Sequence, residues 1–354
     1  MNAGTGPRPQ HPFEVTHRNI WAIAIPASIA YITEPVAGLV DTAVIGRLGD
    51  PGLLGGLALG TTVFSVIFAL AFFLRFGTAG LTAQAVGARD PHDGLLHVVR
   101  ALGIAVALGL VLLALSWPIF KVFEVMLAPP PAASQAFADY VFTRMVSVPF
   151  VLVNFVLLGW FYGRAKARTG MALQILVNVV NIVLSVLFVF GFGWGVIGNA
   201  AATVIGQIAA AALGLAIALR HYGGLGRIVA LTPRAQLLDL AAIQRMLGLS
   251  RDLIIRSLAL ISTFVYFSAQ TARMGEVILS ANTILLQLFS ISAFFLDGIA
   301  TAVEQLSGRA VGANWRPAFE KAGRLGLGWG LVIAGTLSAI LYAGGGLVID
   351  LMTT

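Results

Sequence analysis

Apolar residues run along this chain in nine blocks, roughly 19–45, 54–76, 94–118, 134–160, 169–192, 195–219, 247–270, 277–303 and 321–345, separated by short connections rich in charge, Gly and Pro. Each block is longer than the ~20 residues a helix needs to cross a bilayer. The pattern predicts an all-α polytopic membrane protein with about nine transmembrane helices. Cations are shared unevenly among the connections. With the N-terminus inside, the inner ones hold Arg8 and Arg18, Arg89 and Arg100, the cluster Arg164, Lys166 and Arg168, five arginines from Arg220 to Arg251, and then Arg309, Arg316, Lys321 and Arg324. The outer ones hold Arg47, Lys121 and Arg273. This bias predicts a multi-pass protein of the cell inner (plasma) membrane with a cytoplasmic N-terminus.

Composition narrows the function. Charged residues are 10% of the chain, against about 25% in soluble domains. A pI near 10.2 therefore reflects loop topology rather than a nucleic-acid face. Zero cysteines exclude disulfides and thiolate chemistry, and the five histidines are scattered, so no metal site or cofactor is expected. With no Cys or His in mid-membrane, an embedded enzyme is not expected either. The first apolar block is too long for a cleavable signal and is read as an anchor.

The chain repeats itself. Ala71-Phe-Phe-Leu74 returns as Ala293-Phe-Phe-Leu296, and Ala83-Gln-Ala-Val-Gly-Ala-Arg89 as Gly308-Arg-Ala-Val-Gly-Ala-Asn314. About six spans fit one period, so both copies enter the membrane in the same sense and form two lobes related by an axis along the membrane normal. The division expected is an N-lobe at 1–220, a cytoplasmic linker at 221–246 with a short amphipathic helix near Pro233 to Leu247, and a C-lobe at 247–354. That second six-helix lobe is read as C-terminally truncated.

Within the first block, Tyr31, Glu34, Gly38 and Asp41 are spaced three, four and three apart, which puts them on one helix face. Carboxylates at membrane depth usually have a task; the ordinary alternative is a helix end reaching the headgroups. Gln174, Asn178, Asn181 and Ser185 form a second polar stripe, and Asn199, Thr203 and Gln207 a third. Polar stripes often serve only to hold helices together. Here three meet at similar depth beside one acid. A carboxylate flanked by amides and hydroxyls can exchange a proton or coordinate sodium, and Pro26 and Pro35 mark where the first helix can bend.

The run Pro35-Val-Ala-Gly-Leu-Val-Asp41-Thr-Ala-Val-Ile-Gly46, the Asn181-Ile-Val-Leu-Ser185 element, Arg251-Asp-Leu-Ile-Ile-Arg256 and the paired Gln-Ala-Val-Gly and Arg-Ala-Val-Gly segments resemble the multidrug and toxic compound extrusion (MATE) family, in its DNA-damage-inducible (DinF) branch. The resemblance implies a monomeric antiporter in the lipid bilayer that exports organic cations or other small-molecule xenobiotics against protons or sodium through a cleft between the lobes. By position it implies that Asp41 is the coupling acid, Asn181 and Thr203 its polar partners, and Pro26 the bending proline. One departure stands out: Ser185 occupies the place of a second acid, leaving Asp41, aided by Glu34, as the main coupling candidate. The equivalent of Asp41 in the second copy is Tyr266.

Two alternatives stand beside this reading, the first of them within transport and of the same superfamily. A lipid-linked sugar flippase would line its cleft with cations, and Arg75, Arg144 and Arg256 all fall near the expected segment ends. A truncated relic would not transport at all. Arg75 and Asp297 follow the two copies of Ala-Phe-Phe-Leu, and are expected to form a gate salt bridge at the cytoplasmic ends of their helices. An Asp252 to Arg256 pair and close helix packing at Gly323, Gly326, Gly328 and Gly330 are expected as structural features.

Overall fold

The structure is a computed structural model that describes residues 13–273 and 276–353; Arg8 falls outside them. Among the described residues the elements are all helices: α1 (His17–Gly46), α2 (Pro51–Ala71), α3 (Phe73–Ala88), α4 (Pro91–Ala114), α5 (Ser116–Leu127), α6 (Pro131–Met145), α7 (Val148–Gly163), α8 (Ala167–Val186, continued by a π-helical turn at Leu187–Gly191), α9 (Gly195–Tyr222), α10 (Leu225–Leu231), α11 (Arg234–Leu237), α12 (Leu240–Arg273), α13 (Glu276–Gly312) and α14 (Arg316–Thr353). Six stretches among these residues have the length and hydropathy of a membrane span, with α2 and α3 joined as one, and α6 with α7 is a seventh, bent by 51°. The helices α12 and α13, of 34 and 37 residues, are also long enough to cross.

Local chemistry sets the boundaries. Asp50 and Asp90 each precede a proline that opens a helix, and their carboxylates accept the orphan amides of Gly52 at 2.7 Å and of Asp93 at 2.9 Å. Proline at the first helical position loses nothing, because its missing N–H would have no partner there. The bend between α6 and α7 has the opposite cause. Pro149 has no N–H to give the carbonyl of Met145 four residues back, and at the break the carbonyl of Arg144 accepts both the backbone amide of Ser147 at 2.9 Å and its Oγ at 2.7 Å.

Three boundaries differ from the hydropathy reading. The second block does not stop near residue 76; helix runs on to Ala88, so Arg75 lies inside a span rather than at its end. Aromatic rings make this tolerable, since the guanidinium carbon sits 4.8, 5.2 and 4.5 Å from the ring centres of Tyr31, Phe72 and Phe76. Asp297 is likewise internal to α13, which continues to Gly312. The connection after α9 holds two short helices, α10 and α11, with α12 starting at Leu240, not one amphipathic helix from Pro233. Of the four glycines named in α14, Gly326 alone packs closely, against Val303, while Gly323, Gly328 and Gly330 face open space. The pair expected between Asp252 and Arg256 is made instead by Arg251 and Asp252, at 3.4 Å on the surface.

Packing places α1 at the centre, along α8 on one side and α13 on the other, while α3 packs on both α7 and α13. One apolar cluster, around Phe64, Phe137, Tyr140 and Trp160, fills the first half of the chain. A second joins Ile20, Ile23 and Ala27 of α1 to Ile299, Ala302 and Leu306 of α13. The first helix is therefore shared by the two halves, and its polar face is read by both.

Candidate functional site: a carboxylate cavity on the first helix

Helices α8 and α9 lie side by side because Gly206 lets their backbones approach. A β-carbon there would stand 2.8 Å from the carbonyl oxygen of Val177. This contact brings the polar faces of both helices toward α1. Asn199, fully buried, donates from Nδ2 to Asp41 Oδ1 at 2.7 Å and to Ser185 Oγ at 2.6 Å. Asn181 Nδ2 donates to Thr203 Oγ1 at 2.8 Å, and Thr203 donates in turn to the carbonyl of Asn199 at 3.3 Å. One carboxylate thus ends a connected network of amides and hydroxyls drawn from three helices.

The network opens on a cavity of about 350 Å³, lined among others by Glu34, Gly38, Asp41, Asn178, Asn181 and Thr203. Ser185 lies behind this lining, joined to it through Asn199. The site keeps unspent hydrogen-bonding capacity. Asn178 Nδ2, Asn181 Oδ1 and Asn199 Oδ1 are buried and have no partner among the described residues.

Several residues stand elsewhere than their helical spacing suggested. Tyr31 leaves the stripe of Glu34, Gly38 and Asp41. Its hydroxyl bonds Thr301 Oγ1 of α13 at 2.8 Å, and its ring packs 6.4 Å from that of Tyr162. The physical reason is position: Tyr31 lies at the edge of the stripe where α1 packs on α13. Arg144, read as end-positioned, lines the same cavity as Asp41. Its guanidinium lies 4.9 Å from the Phe64 ring centre and bonds the Tyr140 hydroxyl. Arg75 and Asp297 form no ion pair in this arrangement, Arg75 being held by its aromatic bed. Helix α1 is continuous through Pro26 and Pro35.

Two participants were harder to see in the sequence. Asn199, on the third stripe, turns out to be the direct partner of Asp41. Asn154, on no stripe, donates to both the side-chain and backbone oxygens of Gln207 at 2.8 and 3.0 Å and so braces the helix carrying Thr203. A lone amide inside the apolar run of 148–163 was its signal.

Comparison with known proteins gives the family and the fold. A family model described as MatE matches residues 26–187 and 253–354. The DNA damage-inducible protein F of Escherichia coli (strain K12) is 36% identical over 346 residues, covering 95% of this chain and 72% of that protein. The probable multidrug resistance protein NorM of Caulobacter vibrioides is 27% identical over 91% of this chain and 67% of its own length. Among solved structures, MATE in the bent conformation superimposes with a TM-score of 0.84 at 23% identity, over 95% of this chain and 74% of that one. MATE in the straight conformation gives 0.83 at 22% identity, over 94% and 74%. The residues that the family model matches carry Asp41, the α8 stripe facing it and the second copy of the repeat, and with the 36% identity to the Escherichia coli protein this chain belongs to the MatE family of multidrug and toxic compound extrusion transporters.

Proposed function

We propose that this chain works as a secondary active antiporter exporting organic cations or other xenobiotics in exchange for protons, with sodium as the alternative coupling ion. The observation that carries this reading is the Asp41 carboxylate, held by Asn199 on the wall of a polar cavity. Gain or loss of a cation at Asp41 changes the local charge by one unit. The amide network transmits that change to α8 and α9, and α1, shared by the two halves, is the element whose bending at Pro26 and Pro35 would turn the cavity from one face of the membrane to the other. The unpartnered amide oxygens of Asn181 and Asn199 suit a cation beside the carboxylate.

In this proposal Glu34 assists Asp41, and Asn178, Asn181, Ser185 and Thr203 form the N-lobe cavity. Arg75 and Asp297 are gate residues that meet as the lobes rock. The N-lobe spans 1–220, the linker 221–246 and the C-lobe 247–354, in a monomer with a cytoplasmic N-terminus. A flippase for phosphate-linked sugars is less well supported. Arg144 is the cation of the cavity, and it is accompanied by two carboxylates, Glu34 and Asp41.

Efflux of ethidium, an organic cation, from proteoliposomes holding the 354-residue chain tests the proposal. An imposed proton gradient without sodium should drive export, and Asp41→Asn should reduce it to the level of empty vesicles. Export driven by a sodium gradient alone would reassign the ion. Undiminished export by Asp41→Asn would remove Asp41 from the coupling role.

A further inference from the structure

A second cavity, of about 310 Å³, lies where the end of α3, the first turn of α4 and the last turns of α7 and α9 meet. Its wall is built on Trp160, which is 1% exposed. The indole Nε1 donates to the Tyr222 hydroxyl at 3.1 Å, and the ring meets those of His221 and Tyr222 at 5.6 and 5.8 Å. The Arg164 guanidinium lies 5.0 Å from the Trp160 ring centre and donates to His221 Nε2. His221 is therefore an acceptor here, and the positive charge at the mouth resides on Arg164.

An unused polar group completes the pocket. Thr82 is 2% exposed and lines the cavity, and its hydroxyl has no partner among the described residues. Asp90 on the rim is already engaged, accepting the amides of His92 and Asp93 at 3.1 and 2.9 Å as the cap of α4. Arg89 also lines the rim, and Lys166, Arg168 and Arg220 follow close in sequence on the same connections. The remaining wall is small and apolar, with Ala85, Val86 and Gly94.

We propose that this pocket holds the headgroup of one anionic phospholipid of the cytoplasmic leaflet, with Arg164 and the Thr82 hydroxyl meeting the phosphate. A guanidinium offers forked donors that match phosphate oxygens, and a buried hydroxyl supplies the further donor a phosphate can use. The apolar and aromatic wall suits glycerol and the head of an acyl chain, and Trp and Tyr at helix ends belong to the membrane boundary. Anionic lipid is concentrated on the cytoplasmic side, where the cation bias places these connections. The inference rests on the membrane orientation proposed above and is independent of the role of Asp41. A lipid bound there ties the turn between α3 and α4 to the ends of α7 and α9.

Native mass spectrometry of the 354-residue chain titrated with dioleoyl phosphatidylglycerol or dioleoyl phosphatidylcholine tests the site. One tightly retained phosphatidylglycerol is expected, with phosphatidylcholine held about tenfold more weakly. Arg164→Gln should weaken retention about tenfold. Thr82→Val, which keeps the side-chain volume and so the fold, should weaken it measurably, and Lys321→Gln, a cation on another connection, should leave it unchanged. Equal retention of the two lipids, wild-type retention in both pocket variants, or an equal loss in Lys321→Gln would overturn the proposal. Displacement by inorganic phosphate alone would make this a site for a free anion and overturn the lipid assignment.

Discussion

Gly87 and Gly312 occupy the same place in the two copies of the repeat, and each lies against the other copy's backbone. A β-carbon on Gly87 would overlap the carbonyl oxygen of Arg309, and one on Gly312 would overlap that of Gln84, the repeat counterpart of Arg309. The contact is reciprocal, as a pseudo-two-fold axis passing between α3 and α13 requires. Gly308 adds to it, facing Ala83.

Closure of this end depends on missing side chains, so Gly87→Leu and Gly312→Leu should each hold it apart and reduce transport at least about tenfold, since a branched side chain against a backbone carbonyl is overpacking with no rotamer to relieve it. A cross-link provides the opposite test. The chain has no cysteine, and a β-carbon on Gly308 would stand 2.9 Å from that of Ala83, which reaches the ~3.5–4.5 Å of a disulfide once the two helices part by about an ångström. Ala83→Cys with Gly308→Cys should cross-link on oxidation, stop efflux, and regain it on reduction. Free transport by the oxidised pair would show that this end need not open.

Asn199→Ala should weaken gradient-driven export about tenfold even though Asp41 remains, because it removes the donor that fixes the carboxylate and breaks the link to Ser185. Ser185→Ala should cost less, since Asn199 keeps its bond to Asp41. Efflux rates for the two variants at matched protein content check the order.

The hydrogen bond from Tyr31 to Thr301 joins the first helix to the second half of the chain. Tyr31→Phe and Thr301→Val should each lower stability by about 1 kcal/mol, and together by little more than either alone, because they remove two ends of one bond. Thermal unfolding of the four forms in detergent gives the cycle. Additive losses would mean that the residues act separately.

For the proposed gate pair, Arg75→Asp and Asp297→Arg should each impair efflux, and the double exchange should restore it. A double variant no better than the singles would leave Arg75 with the role it has in this arrangement, a cation bedded on Tyr31, Phe72 and Phe76.

The membrane class, the lengths of most spans, the parallel repeat and the acid on the first helix were all legible in the sequence, because hydropathy, helical spacing and internal similarity are properties of the chain taken a few turns at a time. What each stripe faces is not such a property. A polar stripe is wide enough to be divided between neighbours, and only the packing of α1 between α8 and α13 sent Asp41 to Asn199 and Tyr31 to Thr301. Arg75 and Arg144 looked like the ends of spans because a cation in an apolar run normally seeks water, whereas Arg144 closes α6 at a bend inside a span. Aromatic rings from other turns and helices, Tyr31 for Arg75 and Phe64 for Arg144, let both remain inside, and those rings come together only once the chain has folded.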